Sequence, residues 1–264
     1  MRSLALSLAL VLCAATLAQA EVKTKVIQYE VGDKTFDGYL AYDDSIEGKR
    51  PGVLVFHEWW GLNDYAKKRT EMLAKLGYVA FAADMYGDGK SVDHPKDAGE
   101  MAGKVRANVD EWQKRATVAL DILKKQPQCD ADKLAAIGYC FGGSTALQLA
   151  YTGADLDAVA TFHAALPTPS EEQAEAIQAK VLVCHGADDA FVPQTAIDAF
   201  QKKLKEADVD LTFVAFPDAV HSFTVKDSGK HGNPGMQYNK AADEKSWAML
   251  LDLLKNNFGG GQQD

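Results

Sequence analysis

One cysteine in this sequence stands where covalent chemistry would need a nucleophile. Cys140 is the third residue of Gly-Tyr-Cys-Phe-Gly-Gly, residues 138–143, which lies between an apolar run at 133–137 and a helix-forming run at 144–150. Strand, Gly-x-nucleophile-x-Gly and helix in that order are typical of a nucleophile elbow, a sharp turn that holds the reactive atom clear of a sheet. The flanking glycines predict a close approach of strand and helix backbones, which a side chain would block.

A thiol at this position needs a base, and the base needs a group that orients it. After Cys140, residues 186–193 offer two carboxylates, Asp188 and Asp189, and residues 217–223 offer His221. Folds with this elbow place the partners in the order nucleophile, acid, histidine. His221 would take the thiol proton or pair with the thiolate, and the acid would fix its tautomer. The residues alone leave either aspartate as the acid, or as a cap of the helix that follows.

The other histidines have plainer interpretations. His57, His163 and His185 follow predicted strands, and we interpret them as structural, whereas His94 and His231 are predicted to be surface residues. No pair of histidines has the spacing of metal ligands, so the sequence predicts neither a metal site nor a cofactor.

An α/β fold with a mostly parallel sheet and helices on both faces would position these groups. A hairpin (residues 25–31 and 34–42) is followed by apolar runs that alternate with segments of helical spacing, which favours this architecture. Functional sites in such sheets lie at the carboxyl ends of the strands. The predicted strands are 53–56, 78–83, 133–137, 156–162, 180–184 and 211–216. The predicted helices are 63–76, 95–125 with a break near 99–103, 170–179, 193–207 and 240–258.

Four segments in this order resemble the dienelactone hydrolase family. They are the elbow at 138–143, Phe-His-Glu-Trp-Trp-Gly-Leu-Asn at 56–63, Gly-x-x-Asp-x-Phe-Val-Pro at 186–193, and His-Ser-Phe at 221–223. The resemblance extends from about residue 25 to residue 258. It implies an α/β-hydrolase fold and a Cys-His-Asp triad in which Asp189, and not Asp188, is the acid beside Cys140 and His221.

The resemblance also implies three helpers for the nucleophile. The Glu58 carboxylate would interact with the resting thiol and accept its proton when substrate binds. The backbone N–H groups of Trp59 and Phe141 would form the oxyanion hole. Whether Glu58 acts as a base or as a gate stays open.

Substrate preference is expected to differ from that of the enzymes that degrade aromatic compounds. Those enzymes bind the substrate carboxylate with two arginines, and the corresponding positions here hold Asp88 and Val225. Lys90 or Lys226 would supply only point charges, without bidentate geometry. We expect hydrolysis of a small ester, lactone or thioester, and dienelactone itself is a poor candidate.

The first twenty residues predict export. Arg2, an apolar stretch and Ala18-Gln19-Ala20 form a cleavable signal peptide at 1–20 that is too short for a membrane anchor. We expect a single hydrolase domain at 21–258, a disordered tail at 259–264, and a periplasmic or secreted protein. The net charge of −9, without a basic stripe, disfavours nucleic acid as a partner. A monomer is favoured.

The cysteines of the exported chain are expected to be three free thiols. Cys129, Cys140 and Cys184 are odd in number. Cys129 is predicted in the polar loop before the strand at 133–137 and Cys184 late in the strand at 180–184, so the two would lie at opposite ends of neighbouring strands, too far apart to bridge. Two rival functions remain at this stage. One is a non-catalytic hydrolase fold that binds a ligand or serves a thiol stress response; the other is a thiol enzyme that cleaves a carbon–halogen bond.

Overall fold

A computed structural model describes residues 22–259 of the chain. These residues form one eight-stranded sheet with the order β1-β2-β4-β3-β5-β6-β7-β8. The predicted signal peptide and most of the predicted tail lie outside the described residues. The strands are β1 (Val22–Val31), β2 (Lys34–Asp43), β3 (Arg50–Phe56), β4 (Val79–Ala83), β5 (Cys129–Tyr139), β6 (Ala158–Phe162), β7 (Lys180–Gly186) and β8 (Leu211–Phe216).

The sheet is parallel except at one edge. β1 and β2 form an antiparallel hairpin, β2 pairs antiparallel with β4, and the pairs from β4 to β8 are parallel. This arrangement confirms the predicted α/β class. It also brings the carboxyl ends of β3, β5, β6, β7 and β8 to the same edge of the sheet, because parallel strands run in one direction.

Helices cover both faces of the sheet, and a separate apolar core lies under each layer. They are α1 (Asp64–Lys75), α2 (Pro95–Arg106), α3 (Val109–Lys124), α4 (Phe141–Ala150), α5 (Glu171–Glu175), α6 (Gln194–Glu206) and α7 (Lys240–Phe258), with a 3₁₀ turn at Ser228–His231. Successive residues of a strand point to opposite faces. Leu54 and Phe56 of β3 therefore join one core with α3 and α4, and Val53 and Val55 join the other with α1 and α7.

The break between α2 and α3 lies later than the sequence predicted. The glycines of residues 99–103 were expected to interrupt the helix, yet α2 continues through them with Ala102 and Val105 buried. The chain turns at Asn108 instead, whose side chain accepts a hydrogen bond from the Glu111 N–H at 3.1 Å and so caps α3. Burial and a good cap outweigh the intrinsic preference of glycine, which costs only about 1 kcal/mol per residue.

Two other predictions need smaller corrections. The predicted helix at 170–179 is shorter, since α5 spans Glu171–Glu175, where Ser170 and Gln173 form a capping box at its start. Cys129 begins β5 and is buried, whereas the sequence placed it in a loop. β6 separates β5 from β7, so Cys129 and Cys184 do not lie on neighbouring strands, but both cysteines are free as expected. No helix within residues 22–259 is long and apolar enough to cross a membrane.

Candidate active site

The elbow between β5 and α4 has the strained backbone that the sequence indicated. Cys140 has φ 53° and ψ −115°, in a region that residues with side chains seldom adopt. A Cβ on Gly138 would lie 2.0 Å from the Gly142 carbonyl oxygen, and one on Gly142 would lie 2.2 Å from the Phe56 carbonyl oxygen. The two glycines therefore allow the predicted close approach, which lifts Cys140 to the carboxyl edge of the sheet.

His221 and Asp189 meet at this edge from the ends of β8 and β7. The His221 Nδ1 lies 2.7 Å from Asp189 Oδ2, and Asp189 Oδ1 accepts the Phe191 N–H at 2.9 Å. The Asp189 side chain is wholly buried, so both of its oxygens are used in fixed directions. Asp188, the alternative acid from the sequence, is exposed and lies away from His221. Of the two aspartates, the structure brings only Asp189 to the histidine.

The charge of His221 is coupled to Cys140. Burial alone would lower the pKa of His221, but the interaction with Cys140 and the hydrogen bond with Asp189 together raise it to about 10. An imidazolium between a thiolate and a carboxylate is favoured because each anion stabilises the cation. The arrangement is therefore suited to a thiolate–imidazolium pair, the form in which a cysteine attacks carbonyl carbon.

Glu58 lies beside this pair, in a buried position after β3. Its Oε1 accepts a hydrogen bond from the Ser222 hydroxyl at 3.3 Å, and its side chain is 2% exposed. Burial raises the pKa of Glu58 to about 7, against the opposing effects of His221, the Ser222 hydroxyl and Arg69. Glu58 is thus bound to Ser222 in this structure. Its implied contact with the resting thiol stays a prediction.

The loop after β3 is held from two sides. The Met85 N–H donates to His57 Nε2 at 3.2 Å, which places the ring proton on Nδ1 for the Glu58 carbonyl at 2.5 Å. The Tyr86 hydroxyl donates to the Trp59 carbonyl at 2.9 Å. These contacts fix the peptide plane that carries the Trp59 N–H, one of the two predicted oxyanion donors. Among residues 22–259, neither this amide nor the Phe141 amide has a backbone hydrogen-bond acceptor.

A buried polar network behind His221 was not found from the sequence. His163, at the end of β6, has φ 41°, and its ring centroid lies 5.2 Å from that of His221. Its Nε2 lies 2.8 Å from the Thr224 hydroxyl, which is 2.6 Å from the Tyr65 hydroxyl, and Arg69 contacts both residues. Burial lowers the pKa of His163 well below its ordinary value. The His163 ring that packs against His221 is therefore uncharged. The position of His163 after a predicted strand was the only feature of the sequence that pointed to this network.

Comparison with known proteins assigns the family. The model of the dienelactone hydrolase family matches residues 36–258. The chain belongs to the dienelactone hydrolase family. It has the α/β-hydrolase fold and is a hydrolase of the dienelactone hydrolase type.

Relatives of this dienelactone hydrolase family member cover most of its length. Protein usf of Aquifex pyrophilus is 29% identical over 204 residues, which covers 75% of this chain and 86% of that protein. A relative from Aquifex aeolicus with the provisional name carboxymethylenebutenolidase is 28% identical over 204 residues, with 75% and 86% covered. A solved dienelactone hydrolase-like promiscuous phosphotriesterase from metagenomic libraries has 41% identity and a TM-score of 0.88, covering 90% of this chain and 99% of that one.

Asp84, which follows β4, is a buried carboxylate that holds the turn beside the site. Its Oδ1 accepts the N–H groups of Tyr86 and Gly87 at 2.8 and 3.0 Å, and its Oδ2 accepts those of Gly89 and Asp37 at 2.9 and 3.2 Å. Four backbone N–H groups donate to this one buried carboxylate and so fix the turn after β4. That turn positions Tyr86, whose hydroxyl donates to the Trp59 carbonyl.

A cavity of about 640 Å³ opens on the Ser222 side of the site. Its lining includes Trp60, Tyr65 and His231, and the His231 ring stacks on Trp60 with centroids 4.6 Å apart. His231 is half-buried by this stack at the rim of the cavity. Within residues 22–259, no three His, Cys, Asp or Glu side chains are grouped to hold a metal ion.

Proposed function

We propose that this chain is a cysteine-dependent hydrolase of small esters, lactones or thioesters. The observation that carries the proposal is the His221 imidazole with Asp189 Oδ2 2.7 Å from Nδ1, together with its electrostatic interaction with Cys140 at the elbow. A non-catalytic binding protein has no need of a nucleophile, a base and an acid in register. The same contacts disfavour a thiol stress-response role, because they activate one thiol and leave the other two buried.

The reaction follows from the geometry. The Cys140 thiolate attacks the carbonyl carbon and forms a C–S bond, while the carbonyl oxygen takes up the negative charge beside the Phe141 and Trp59 N–H groups. When the intermediate collapses, the C–O bond to the alcohol breaks and His221 gives its proton to the leaving oxygen. Neutral His221 then takes a proton from water, whose hydroxide cleaves the acyl-enzyme and restores the thiolate–imidazolium pair as the acid leaves.

Glu58 serves as a second proton acceptor in this proposal. Its pKa of about 7 lets it exchange a proton near neutral pH, and its hydrogen-bond donor Ser222 is the residue that follows His221. A base that is not His221 can hold the thiol proton without consuming the general acid needed by the leaving group. A buried carboxyl group that can take up a proton near neutral pH is suited to act as a base, and we therefore favour this role for Glu58 over that of a gate.

Export is part of the proposal. The signal-peptide pattern of residues 1–20 supports a periplasmic or secreted hydrolase. A fusion of residues 1–20 to a reporter enzyme that is active only outside the cytoplasm tests it, with Arg2 and the apolar stretch replaced in the control. Reporter activity that does not depend on these residues would contradict export.

The test of the main proposal is the loss of the nucleophile. Cys140→Ala is expected to abolish turnover of p-nitrophenyl acetate and to leave the circular dichroism spectrum unchanged. A rapid quench of the wild-type protein with the ester should trap one acetyl group on Cys140 by mass spectrometry. Full activity of the Cys140→Ala variant, or acetylation at another residue, would refute the assignment.

Phosphotriester cleavage is a second candidate for the same thiol. The solved relative of 41% identity is described as a promiscuous phosphotriesterase, and it covers 90% of this chain. Attack of the Cys140 thiolate on phosphorus would form an S–P bond and expel the aryloxide, and water would then cleave that bond. Release of p-nitrophenol from diethyl p-nitrophenyl phosphate by wild-type protein, and not by Cys140→Ala, would support this candidate. No release at enzyme concentrations that turn over the acetate would refute it.

A further inference from the structure

His163 has a backbone conformation that residues with side chains seldom adopt. Within residues 22–259, six residues other than glycine have a positive φ, and three of them are exposed aspartates. The other three are Cys140 at 53°, His163 at 41° and Ser222 at 56°. Cys140 is the proposed nucleophile, and Ser222 follows His221. Because backbone strain of this kind clusters at active sites, the conformation of His163 indicates a role in the site.

The His163 side chain packs directly against the proposed base. It is wholly buried, and its ring centroid lies 5.2 Å from that of His221 at an interplanar angle of 66°. A second ring, that of Phe191, lies at the same distance from His221, but this side chain is 53% exposed. The His163 N–H donates to the Cys184 carbonyl at 2.9 Å, and Phe223 packs on its ring at 5.2 Å. Of the two rings on His221, His163 is therefore the one held in a core.

A chain of hydrogen bonds with one direction ends on the His163 ring. Arg69 Nε, which can only donate, lies 3.2 Å from the Tyr65 hydroxyl oxygen. The Tyr65 hydroxyl keeps its own proton for the Thr224 hydroxyl at 2.6 Å, and the Thr224 proton is then available for His163 Nε2 at 2.8 Å. Nε2 is the acceptor in this order, so the proton of the neutral ring lies on Nδ1. The chain thus selects one tautomer of His163.

The start of this chain is fixed between two helices. Arg69 of α1 forms an ion pair with Asp243 of α7, and both side chains are largely buried. The Tyr238 hydroxyl donates to the other Asp243 oxygen at 3.2 Å, and Arg69 also donates to the Thr224 carbonyl at 3.0 Å. The hydrogen bonds therefore connect the His163 ring to the helix layer that covers this face of the sheet.

Stability alone would not favour a histidine at this place. Among residues 22–259, its buried Nδ1 has no hydrogen-bond partner, and an unpaired buried N–H costs stability. Burial, and then the neighbouring His221, Arg69 and His185, hold the pKa of His163 well below its ordinary value. The ring is thus an uncharged polar group in a strained and incompletely paired position, as is expected where a residue serves the site.

We propose that His163 is a positioning residue for the reaction, whose ring, fixed by the hydrogen bonds that begin at Arg69, keeps His221 Nδ1 turned to Asp189 and Nε2 turned to the thiol and the leaving group. This inference rests on the proposed function. The Asp189 hydrogen bond holds one atom of the His221 ring, and the ring could still swing about that atom. A fixed neighbour removes this freedom, because rings in close-packed protein do not turn without displacing what they touch.

The pH dependence of Cys140 alkylation measures the orientation of His221 without an ester. Iodoacetamide reacts with the thiolate, and peptide mass spectrometry gives the rate at Cys140 between about pH 4 and about pH 10. In His163→Asn, asparagine accepts the positive φ but lacks the ring. The alkylation midpoint should rise by about one pH unit, because a misaligned imidazolium stabilises the thiolate about tenfold less. The kcat/KM for p-nitrophenyl acetate should fall by a similar factor.

A second pair of variants tests the hydrogen-bond chain itself. Thr224→Val removes the hydroxyl that holds His163 Nε2, and its midpoint should move in the same direction as that of His163→Asn. Thr224→Ser keeps a hydroxyl at this position and should restore the wild-type midpoint. Where the circular dichroism spectrum shows that His163→Asn does not fold, this pair decides the question.

His185→Asn is the matched control. His185 of β7 is also a buried histidine whose Nδ1 has no partner within residues 22–259, but its ring packs on Phe213 at 5.8 Å. Its replacement should leave the Cys140 midpoint unchanged, even where it lowers the stability in urea. An unchanged midpoint in folded His163→Asn or in Thr224→Val, or an equal shift in His185→Asn, would overturn the inference.

Proton NMR separates this inference from the proposed function. A proton held between an imidazolium and a carboxylate gives a strongly deshielded signal, which Asp189→Asn should remove. In His163→Asn the signal should broaden, because a mobile ring exchanges this proton with water. A broadened signal and a raised midpoint in a protein that hydrolyses no ester would refute only the hydrolase proposal. Ester turnover by the wild type, with the signal and midpoint of His163→Asn unchanged, would refute only the role of His163.

Discussion

Replacing Glu58 with glutamine should change how the stability of the protein depends on pH. The side chain is 2% exposed, and its pKa rises from an ordinary 4.5 to about 7 because burial disfavours the carboxylate. The folded protein therefore binds a proton that the unfolded chain has already released between about pH 4.5 and pH 7. Glutamine has nearly the same shape, can still accept a hydrogen bond from Ser222, and does not titrate.

The size and sign of the effect follow from linkage. A raised pKa in the folded state contributes stability that is fully present below about pH 4.5 and is lost as the pH rises through 7. A difference of about 2.5 pKa units corresponds to about 3 kcal/mol, at about 1.4 kcal/mol per unit. His221 contributes little to this change in the folded state, since its pKa of about 10 keeps it charged across the window.

Urea unfolding at several pH values between 4.5 and 8 provides the measurement. The free energy of unfolding of Glu58→Gln relative to wild type should rise by about 3 kcal/mol across this range, most of it below pH 7. Glu100→Gln, an exposed glutamate on α2, should follow the wild-type profile. Parallel profiles for Glu58→Gln and wild type would show that Glu58 is ionised throughout, and the argument from burial would fail.

Two further predictions concern the acid and the thiols. Asp189→Asn should lower kcat at least about 100-fold, because it releases His221 from its fixed tautomer; Asp188→Asn should stay within about twofold, and similar losses in both variants would contradict the assignment of Asp189. Iodoacetamide should alkylate Cys140 well before Cys129 and Cys184, whose pKa burial raises to about 11 and about 12, and equal rates measured by peptide mass spectrometry would rule out an activated thiol.

The elements of the fold could be predicted where the signal was local. Apolar runs with helical segments between them predicted the parallel strands, and the predicted helices at 63–76 and 170–179 begin with Asn63 and Ser170, whose side chains cap α1 and α5. The break before α3 was placed wrongly because packing decides it. Val105 and its neighbours gain enough from burial to carry α2 through its glycines, and no local pattern reports that gain.

The site was predictable only where chemistry and chain position coincide. Cys140, Asp189 and His221 each lie in a distinctive motif after a strand. His163 follows a strand like other histidines, and its contact with His221 depends on the strand order of the sheet.

The protonation of Glu58 links these features through the charge of the site. Protonated Glu58 leaves Asp189 as the one carboxylate that faces the thiolate–imidazolium pair, so an anionic substrate meets a single negative charge besides the thiolate. Ionised Glu58 adds a second charge in a buried place, where screening by salt is weak. Repulsion between Glu58 and a negatively charged substrate is therefore expected to grow as the pH rises through about 7. On the proposed function, kcat/KM for an anionic ester should fall over this range more than that for a neutral ester of equal length, and an equal change for both esters would contradict the charge assigned to Glu58.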